Sequence, residues 1–210
     1  MDEKVDVLDA SGRSTGEIAW KSEAHRRGLW HRCFHCWVST PGDASGGPYL
    51  LVQRRAATKD TWPGRLDVTA AGHLAAGEEP LDGLRELEEE LGLRVEPERL
   101  IPLGRRRVEQ EIPGGCDREF HEVFLLVDST PPKNLRLQPE EVETVLRITL
   151  DDAERMSGGE AVPAEEWTDG GPTFTRISLA DFVPKDEDTL SRVARAAREI
   201  LAGRDAGRIF

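Results

Sequence analysis

The chain has 210 residues, 28 of them Lys or Arg and 40 Asp or Glu, which gives a formal net charge of −12. This length suits one domain with a sizeable core, and the acidity argues against general binding to nucleic acids or membrane surfaces. No apolar run approaches the roughly 20 residues of a membrane span, the acidic first residues lack a signal-peptide core, and three cysteines fit reduced thiols, so we expect a cytoplasmic protein.

The first third of the chain alternates strand patterns with polar turns. Apolar runs bounded by Gly, Ser, Asp and Pro predict strands and the loops between them. In chain order, the sequence predicts a hairpin over residues 5–20, a polar stretch with two histidines over 21–31, a strand over 33–39, a mobile loop over 41–48, a strand over 49–55, and a loop with a short strand leading to Gly72.

The stretch from Gly72 to Leu93 contains a helix, and the rest of the chain is organised around it. Pro80 suits the first helical position, because its missing N–H would be unpaired there in any case. Gly92 is placed to end the helix in a left-handed conformation, whereas Gly83 weakens its first turn. One helix face is apolar, with leucines spaced by three and four residues at Leu81, Leu84, Leu87 and Leu91.

Three carboxylates share another face of this helix, because Glu86, Glu89 and Glu90 are spaced by three and four residues. Clustered carboxylates repel one another unless solvent or a cation neutralises them. Hard divalent cations such as Mg²⁺ prefer oxygen ligands and often share them with substrate phosphates. The pattern fits either a solvated acidic face or a divalent-metal site, and here a Gly-rich loop and Arg85 precede the carboxylates.

The remainder of the chain continues the mixture of strands and helices. The sequence predicts two strand segments with a turn over residues 93–112, a loop over 113–117, a strong strand over 118–128, an irregular connection over 130–140, a strand running into a short helix over 142–156, a loop over 157–172 and a terminal helix over 187–203. One face of the terminal helix is apolar, with Leu190, Val193, Ala197 and Leu201. Together these elements predict an α/β fold with a mixed sheet and helices on both of its faces.

Residues 72–93 resemble the Nudix box, a motif of Gly, five residues, Glu, seven residues, and Arg-Glu-apolar-any-Glu-Glu-any-Gly-apolar. The positions that match by residue type are Gly72, Glu78, Arg85, Glu86, Leu87, Glu89, Glu90, Gly92 and Leu93. One spacing differs, because six residues separate Glu78 from Arg85, and we interpret this as a one-residue deletion at the loop–helix junction.

The resemblance implies the Nudix α/β/α sandwich, in agreement with the pattern of strands and helices. We expect residues 1–30 to form an N-terminal hairpin extension packed on the core. Residues 31–185 are the predicted Nudix hydrolase domain, and residues 186–210 are the predicted C-terminal helix of that domain.

Further similarity narrows the branch of the family. Residues 25–38, 50–74 and 118–127 resemble the branch that includes type I isopentenyl diphosphate isomerases and their hydrolase-like relatives. In the isomerases a catalytic cysteine precedes the Gly-His pair, but here Ala71 takes that position, and alanine cannot transfer a proton. The isomerases have also largely lost the Arg-Glu-x-x-Glu-Glu pattern, so its presence here indicates diphosphate hydrolysis.

The isomerase resemblance also implies a second divalent-metal site. Three histidines and two carboxylates occupy the matching positions: His25, His31, His73, Asp117 and Glu119. A mixed set of nitrogen and oxygen ligands suits Mn²⁺, Zn²⁺ or Fe²⁺ better than Mg²⁺. The alternative is that these side chains only make hydrogen bonds within the fold.

Arg55 and Lys59 match positions that hold the diphosphate in the isomerases, where fixed cations offset and orient its charge. The alternative is that both are surface cations. Trp62 follows in the same loop and either lines the pocket or packs in the interior.

Cys33 and Cys36 form a C-x-x-C pair that is weak as a metal site, because a strand would direct the two thiols to opposite faces. The remaining tryptophans are expected to pack rather than to stack on a nucleobase, and these are Trp20, Trp30, Trp37 and Trp167.

The resemblance implies hydrolysis of a diphosphate bond that depends on Mg²⁺ or Mn²⁺. The expected metal ligands are Glu86, Glu89 and Glu90, with Arg85 holding these carboxylates in place. The general base stays open among Glu89, Glu140, Glu141 and Glu143.

The expected partner is a small-molecule diphosphate rather than a nucleic acid or a membrane. It is a nucleoside di- or triphosphate, a nucleoside diphosphate-linked compound or an isoprenoid diphosphate. An isomerase-like enzyme and a non-catalytic ligand sensor stay open as alternatives. A homodimer is compatible with the family resemblance. The residues themselves carry no signal for or against dimerisation.

Overall fold

The computed structural model describes residues 2–42, 46–168 and 170–210. Its strands are β1 (Lys4–Leu8), β2 (Ser14–Trp20), β3 (Trp30–Thr40), β4 (Tyr49–Arg55), β5 (Leu66–Asp67), β6 (Ala70–His73), β7 (Ile101–Ile112), β8 (Gly115–Val127), β9 (Val142–Thr149), β10 (Val162–Thr168) and β11 (Gly171–Ile177). Its α-helices are α1 (Lys21–Arg27), α2 (Arg85–Leu91), α3 (Leu150–Ser157) and α4 (Thr189–Leu201).

The strands that the structure describes form one mixed sheet, as predicted. Its main path runs β11-β10-β9-β4-β3-β1-β2. Strand β8 pairs with β3 in parallel and with β7 antiparallel, and the short β6 pairs antiparallel with β3. Strand β3 is therefore the meeting point of the predicted hairpin, the box segment and the strong strand near residue 120.

Helices pack on both faces of the sheet, which confirms the predicted layers. Alternate residues of β3 and β4 point to opposite faces, because side chains alternate along a strand. One core cluster joins the sheet to α4, through Trp37, Leu50, Val52, Leu190, Val193 and Ala197. The other joins the sheet to α2, through Phe34, Val38, Leu51, Leu87 and Leu91. Full burial of a leucine such as Leu87 stabilises the fold by roughly 2 kcal/mol, and this burial fixes α2 on the sheet.

The predicted helix in the box segment begins with a 3₁₀ turn at Pro80–Leu84 and continues as α2. Gly83 lies where a Cβ atom would stand 2.4 Å from the Cβ of Phe34, so the close approach of this turn to β3 requires glycine. Gly92 ends α2 with φ 71°, as expected. The assignment of Leu81 to the apolar face is wrong, since Leu81 is 46 % exposed. A 3₁₀ turn has three residues per turn, so it rotates Leu81 away from the α2 stripe.

Several loop and strand predictions differ from the structure. The predicted loop over residues 157–172 is wrong, because β10 and β11 form a hairpin there and β10 also pairs with β9. Only Val162 and Ala164 of β10 are buried, and a strand with so few apolar residues shows little alternation. Strand β8 begins at Gly115, so the predicted loop over residues 113–117 is shorter than expected.

Other segments differ less from the elements predicted from the sequence. Helix α1 lies within the polar stretch over residues 21–31, where the sequence predicted no element. Residues 101–112 form one long strand after a 3₁₀ turn at Pro97–Arg99, rather than two strand segments. The predicted mobile loop includes residues 43–45, which lie outside the described residues, as do Met1 and Asp169. The predicted hairpin and terminal helix are confirmed, and the domain limits at residues 30 and 185 stay predictions.

Candidate active site

A cleft of about 620 Å³ receives side chains from β3, β6, β8, α2 and the loop between β4 and β5. The segment between β11 and α4 completes its wall. The cleft brings together most of the site residues predicted from the sequence: His25, Arg55, Lys59, His73, Arg85, Glu86, Glu89, Asp117 and Glu119. His31 and Glu90 are buried rather than among the lining residues.

The three carboxylates of α2 differ in burial. Glu86 lines the cleft and is largely buried, Glu90 is buried, and the side chain of Glu89 is 53 % exposed. Oε2 of Glu90 accepts hydrogen bonds from Gln53 Nε2 and from the backbone N–H of Ala71, both at 3.2 Å. Oε1 of Glu90 makes no hydrogen bond with the residues that the structure describes.

Burial dominates the electrostatics of these carboxylates. It raises the pKa of Glu86 to about 7, against the lowering effect of Arg85. Burial and the charge of Glu86 raise the pKa of Glu90 to about 8. Two buried carboxyl groups whose charges disfavour one another therefore lie one turn apart on α2, where a bound cation would offset both.

Arg85 ties the helix to the preceding loop. Its Nε donates to Glu78 Oε1 at 3.1 Å, and its Nη2 donates to the backbone oxygen of His73 at 2.8 Å. It also forms an ion pair with Glu86 and lies 3.5 Å from Glu89. Glu78 thus reaches Arg85 despite the shorter spacing in the box, with the 3₁₀ turn at Pro80–Leu84 lying between them.

Four of the five residues predicted as a second metal site converge. The ligand atoms of His25, His31, His73 and Glu119 all lie within 4.8 Å of one another, although α1, β3, β6 and β8 supply them. Asp117 Oδ1 lies beside this group, 3.3 Å from His25 Nε2. Because Nδ1 of His31 donates to the backbone oxygen of Leu29 at 2.8 Å, Nε2 is left as the ligand atom.

Two atoms of this histidine cluster are orphaned. His31 Nε2 and Asp117 Oδ1 are buried and make no well-aligned hydrogen bond with the described residues, although they lie 3.5 Å from Glu119 Oε1 and 3.3 Å from His25 Nε2. Buried polar atoms without partners are uncommon, and a missing ion is one explanation. The donor set therefore fits a transition metal with nitrogen and oxygen ligands.

The charges of the cluster follow from burial and from Glu119. Burial lowers the pKa of His25, and it lowers the pKa of His73 to about 3 against the opposing effect of Glu119. Burial also acts to lower the pKa of His31, but Glu119 outweighs it and the pKa is raised. Burial and then Glu119 raise the pKa of Asp117 to about 7. Two of the three histidines are thus held in the neutral form that binds metals.

Two further histidines, which were not predicted from the sequence as site residues, also line the cleft. His35 and His121 stack with ring centroids 3.8 Å apart, and Nε2 of His121 lies 2.6 Å from Oε2 of Glu119. Their spacing could have indicated that they share a strand face with predicted ligands, because His35 is four residues from His31 on β3 and His121 is two residues from Glu119 on β8. Residues an even number apart share one face of a strand.

The two predicted diphosphate-binding cations have protein partners. Arg55 Nη1 lies 3.4 Å from Asp67 Oδ2, and its Nη2 donates to the backbone oxygen of Thr61 at 2.9 Å. Lys59 forms an ion pair with Glu141. Both cations line the cleft.

The general-base candidates separate in space. Glu89, Glu140 and Glu141 line the cleft. Glu143 is exposed on β9 and is not among the described residues that line the cleft.

Trp62 lines the cleft and has φ 53°, a conformation that costs free energy for any residue except glycine. The expectation of packing holds for three of the other tryptophans and is wrong for Trp20, which is 48 % exposed with Lys4 Nζ 5.1 Å from its ring centroid. Cys33 lines the cleft whereas Cys36 packs in the α2 core cluster, so the two thiols do face opposite sides of β3.

No α-helix of the described residues is long and apolar enough to span a bilayer. This agrees with the absence of a long apolar run in the sequence.

Known proteins resemble this chain both in sequence and in fold. The sequence model of the NUDIX domain matches residues 30–169. An uncharacterised Nudix hydrolase of Clostridium acetobutylicum is 37 % identical over 156 residues, which cover 74 % of each chain. An isopentenyl-diphosphate delta-isomerase of Dinoroseobacter shibae is 35 % identical over 146 residues, 68 % of this chain and 75 % of the relative.

A solved structure from Deinococcus radiodurans shares the fold, with a TM-score of 0.55 and 23 % identity over 75 % of this chain and 91 % of the other. The domain match covers well over half of the chain, and it includes the α2 carboxylates and the strands that carry His31 and Glu119. The chain therefore belongs to the Nudix hydrolase family of enzymes, in a branch whose relatives include isopentenyl-diphosphate isomerases.

Proposed function

We propose that the protein hydrolyses the diphosphate bond of a small-molecule substrate and depends on Mg²⁺ or Mn²⁺ to do so. The substrate class comprises nucleoside di- and triphosphates, nucleoside diphosphate-linked compounds and isoprenoid diphosphates. One observation carries the proposal. Glu86 lines the cleft, Glu90 is buried one helical turn further along α2, and Glu90 Oε1 has no hydrogen bond with the described residues. Oxygen ligands with this charge and burial suit a hard divalent cation.

The residues of the chain have separate roles in this proposal. Glu86, Glu89 and Glu90 hold the cation, and Arg85 keeps Glu86 oriented while its contact with His73 anchors the loop. When bound, Mg²⁺ would polarise the phosphoryl oxygens and lower the pKa of an attacking water. Glu89, Glu140 and Glu141 are the candidates that could accept the proton of that water, because they line the cleft.

A second divalent cation is part of the proposal. His25, His31, His73 and Glu119 would hold it, with Asp117 beside them. Its support is the convergence of four ligand atoms within 4.8 Å and the orphaned His31 Nε2. Nitrogen ligands favour Mn²⁺, Zn²⁺ or Fe²⁺ at this position.

Hydrolysis is favoured over isomerisation by the side chain at position 71. Ala71 pairs with His35 in the β3–β6 ladder, beside Gly72, and offers no group that can transfer a proton. Cys33 does line the cleft, but burial raises its pKa well above the ordinary value of a thiol. Its thiolate is thus disfavoured.

The test is release of phosphate, pyrophosphate or phosphomonoester products from a panel of diphosphates with and without Mg²⁺, with product analysis for isopentenyl diphosphate. We expect metal-dependent release from at least one compound of the panel and no allylic product. Turnover that is unaffected by a chelator would contradict the metal assignment. Binding of a panel compound without any turnover would point to a ligand sensor, and formation of dimethylallyl diphosphate would point to an isomerase.

A further inference from the structure

One part of the cleft wall, the group formed by Arg55, Asp67 and Lys185, carries more buried positive charge than negative charge. Asp67 of β5 lies 3.4 Å from Arg55 Nη1 through one oxygen and 3.4 Å from Lys185 Nζ through the other. Two cations thus share one carboxylate, which leaves one positive charge in excess. The nearby Arg106 does not add to this excess, because it has its own partner in Asp186. Excess charge of one sign is costly to bury unless a ligand balances it.

Lys185 is held in position by its neighbours, but not all of its N–H donors make hydrogen bonds with the described residues. Its side chain is only 7 % exposed, and its Nζ lies 5.4 Å and 5.0 Å from the ring centroids of Trp37 and Phe182. An ammonium group has three donors, and the hydrogen bond of Lys185 within the described residues goes to Asp67. Burial lowers the pKa of Lys185, against the opposing effect of Asp67, so a bound anion would restore the preference for the charged form.

A second and independent observation at the same wall is Thr189, the first residue of α4. It is 3 % exposed, lines the cleft, and its Oγ1 has no hydrogen-bond partner in the part of the chain that the structure describes. The N-terminal end of a helix favours negative charge. An orphaned hydroxyl at this end is therefore placed to donate to an anion.

We propose that Arg55, Lys185 and Thr189 form a subsite for a phosphate group of the substrate. The inference rests on the proposed function for the nature of that ligand. Lys185 and Thr189 lie beyond residue 169, where the domain match ends, so they belong to a C-terminal segment that the match does not cover. Arg55 belongs to the Nudix domain and links the two parts through Asp67.

The subsite is tested by anion binding without turnover. The unfolding temperature is followed while inorganic pyrophosphate is added in the presence of a chelator, for the wild type, Lys185→Met, Lys185→Arg and the exposed control Lys133→Met. We expect the half-saturating concentration to rise about tenfold in Lys185→Met, because one charge-assisted hydrogen bond is lost. Lys185→Arg keeps the charge and is expected to bind nearly as the wild type does, and Lys133→Met is expected to be unchanged.

Asp67→Asn gives an expectation of opposite sign. Removing the shared carboxylate frees both cations, so the half-saturating concentration is expected to fall severalfold. If Asp67 had a purely structural role, Asp67→Asn would lower the unfolding temperature without tightening the binding of pyrophosphate. If Lys185→Met does not fold, pyrophosphate binding is compared between the wild type, Lys185→Arg and Asp67→Asn instead.

Kinetics separate this inference from the proposed function. For a diphosphate that the wild type hydrolyses, Lys185→Met is expected to raise KM about tenfold with a smaller change in kcat. Unchanged KM and unchanged pyrophosphate binding in Lys185→Met would overturn the subsite and leave the hydrolase intact. If no diphosphate is hydrolysed while Lys185→Met still weakens pyrophosphate binding, the proposed function fails and the anion subsite stands.

Discussion

The carboxylate of Glu86 lies directly against the backbone of Gly72. A Cβ atom added at position 72 would stand 2.0 Å from Glu86 Oε1, closer than any real contact allows. Glycine at this position therefore leaves the space in which the first carboxylate of α2 is held at the cleft. This contact links the first residue of the box segment to the first turn of α2, fourteen residues further along the chain.

Gly72→Ala is expected to impair activity and to leave the fold intact. The clash involves the end of a flexible side chain, so Glu86 would move aside rather than the backbone, and misplaced catalytic groups cost about a hundredfold in rate. The measurement is kcat with the best diphosphate of the panel together with the unfolding temperature. Gly47→Ala is the matched control, because a Cβ there meets nothing within 4 Å. Equal activity of the two variants would show that the position of Glu86 does not matter.

Glu90→Gln is expected to lower kcat by about a hundredfold or more, because the neutral amide loses the charge that holds a divalent cation. Its hydrogen bonds with Gln53 and Ala71 involve only one oxygen, so the fold is expected to survive. Glu88→Gln on the same helix is the control, since Glu88 faces solvent and pairs with Arg94. Full activity in Glu90→Gln would refute its assignment as a metal ligand.

The stability of the metal-free protein is expected to depend on pH through Glu86 and Glu90. Their pKa values rise on folding from an ordinary 4.5 to about 7 and about 8, so the folded state binds more protons than the unfolded chain in this range. Stability from these groups is present below about pH 4.5 and is lost as the pH rises through 7 and 8.

The measurement is the unfolding temperature against pH in a chelator, for the wild type and the double variant Glu86→Gln/Glu90→Gln. We expect the wild type to lose stability relative to the double variant between pH 5 and pH 8, and Mg²⁺ to stabilise the wild type more at pH 8 than at pH 6. Parallel curves for the two proteins would contradict the pKa shifts.

His31→Gln is expected to abolish binding of a transition metal by the histidine cluster, because Nε2 of His31 is buried among the other ligands and makes no hydrogen bond of its own with the described residues. Metal content after reconstitution with Mn²⁺ or Zn²⁺ measures this directly, and thermal stabilisation by the metal gives a second readout. Glu88→Gln, which alters an exposed carboxylate outside both groups of potential metal ligands among the described residues, is expected to retain the metal. If the wild type binds no metal after reconstitution, the second site does not exist.

The sequence determined the features that depend on neighbours along the chain. The spacing of Leu87 and Leu91 predicted which face of α2 packs on the sheet, and the spacing of Glu86, Glu89 and Glu90 placed three carboxylates on one face. Both patterns follow from the helical repeat, which needs no knowledge of distant segments. The same local logic failed for β10, because only Val162 and Ala164 are buried and it is the core cluster shared with α4 that covers them.

Only the tertiary structure decided which groups meet and which are buried. The periodicity that grouped the three carboxylates could not show that Glu90 is buried while Glu89 is exposed. It also gave no sign that Lys185 shares Asp67 with Arg55 across 118 residues of sequence. Such contacts depend on the register in which distant strands pair and on the path of the segments that cover them, and a helical or strand repeat carries no information about either.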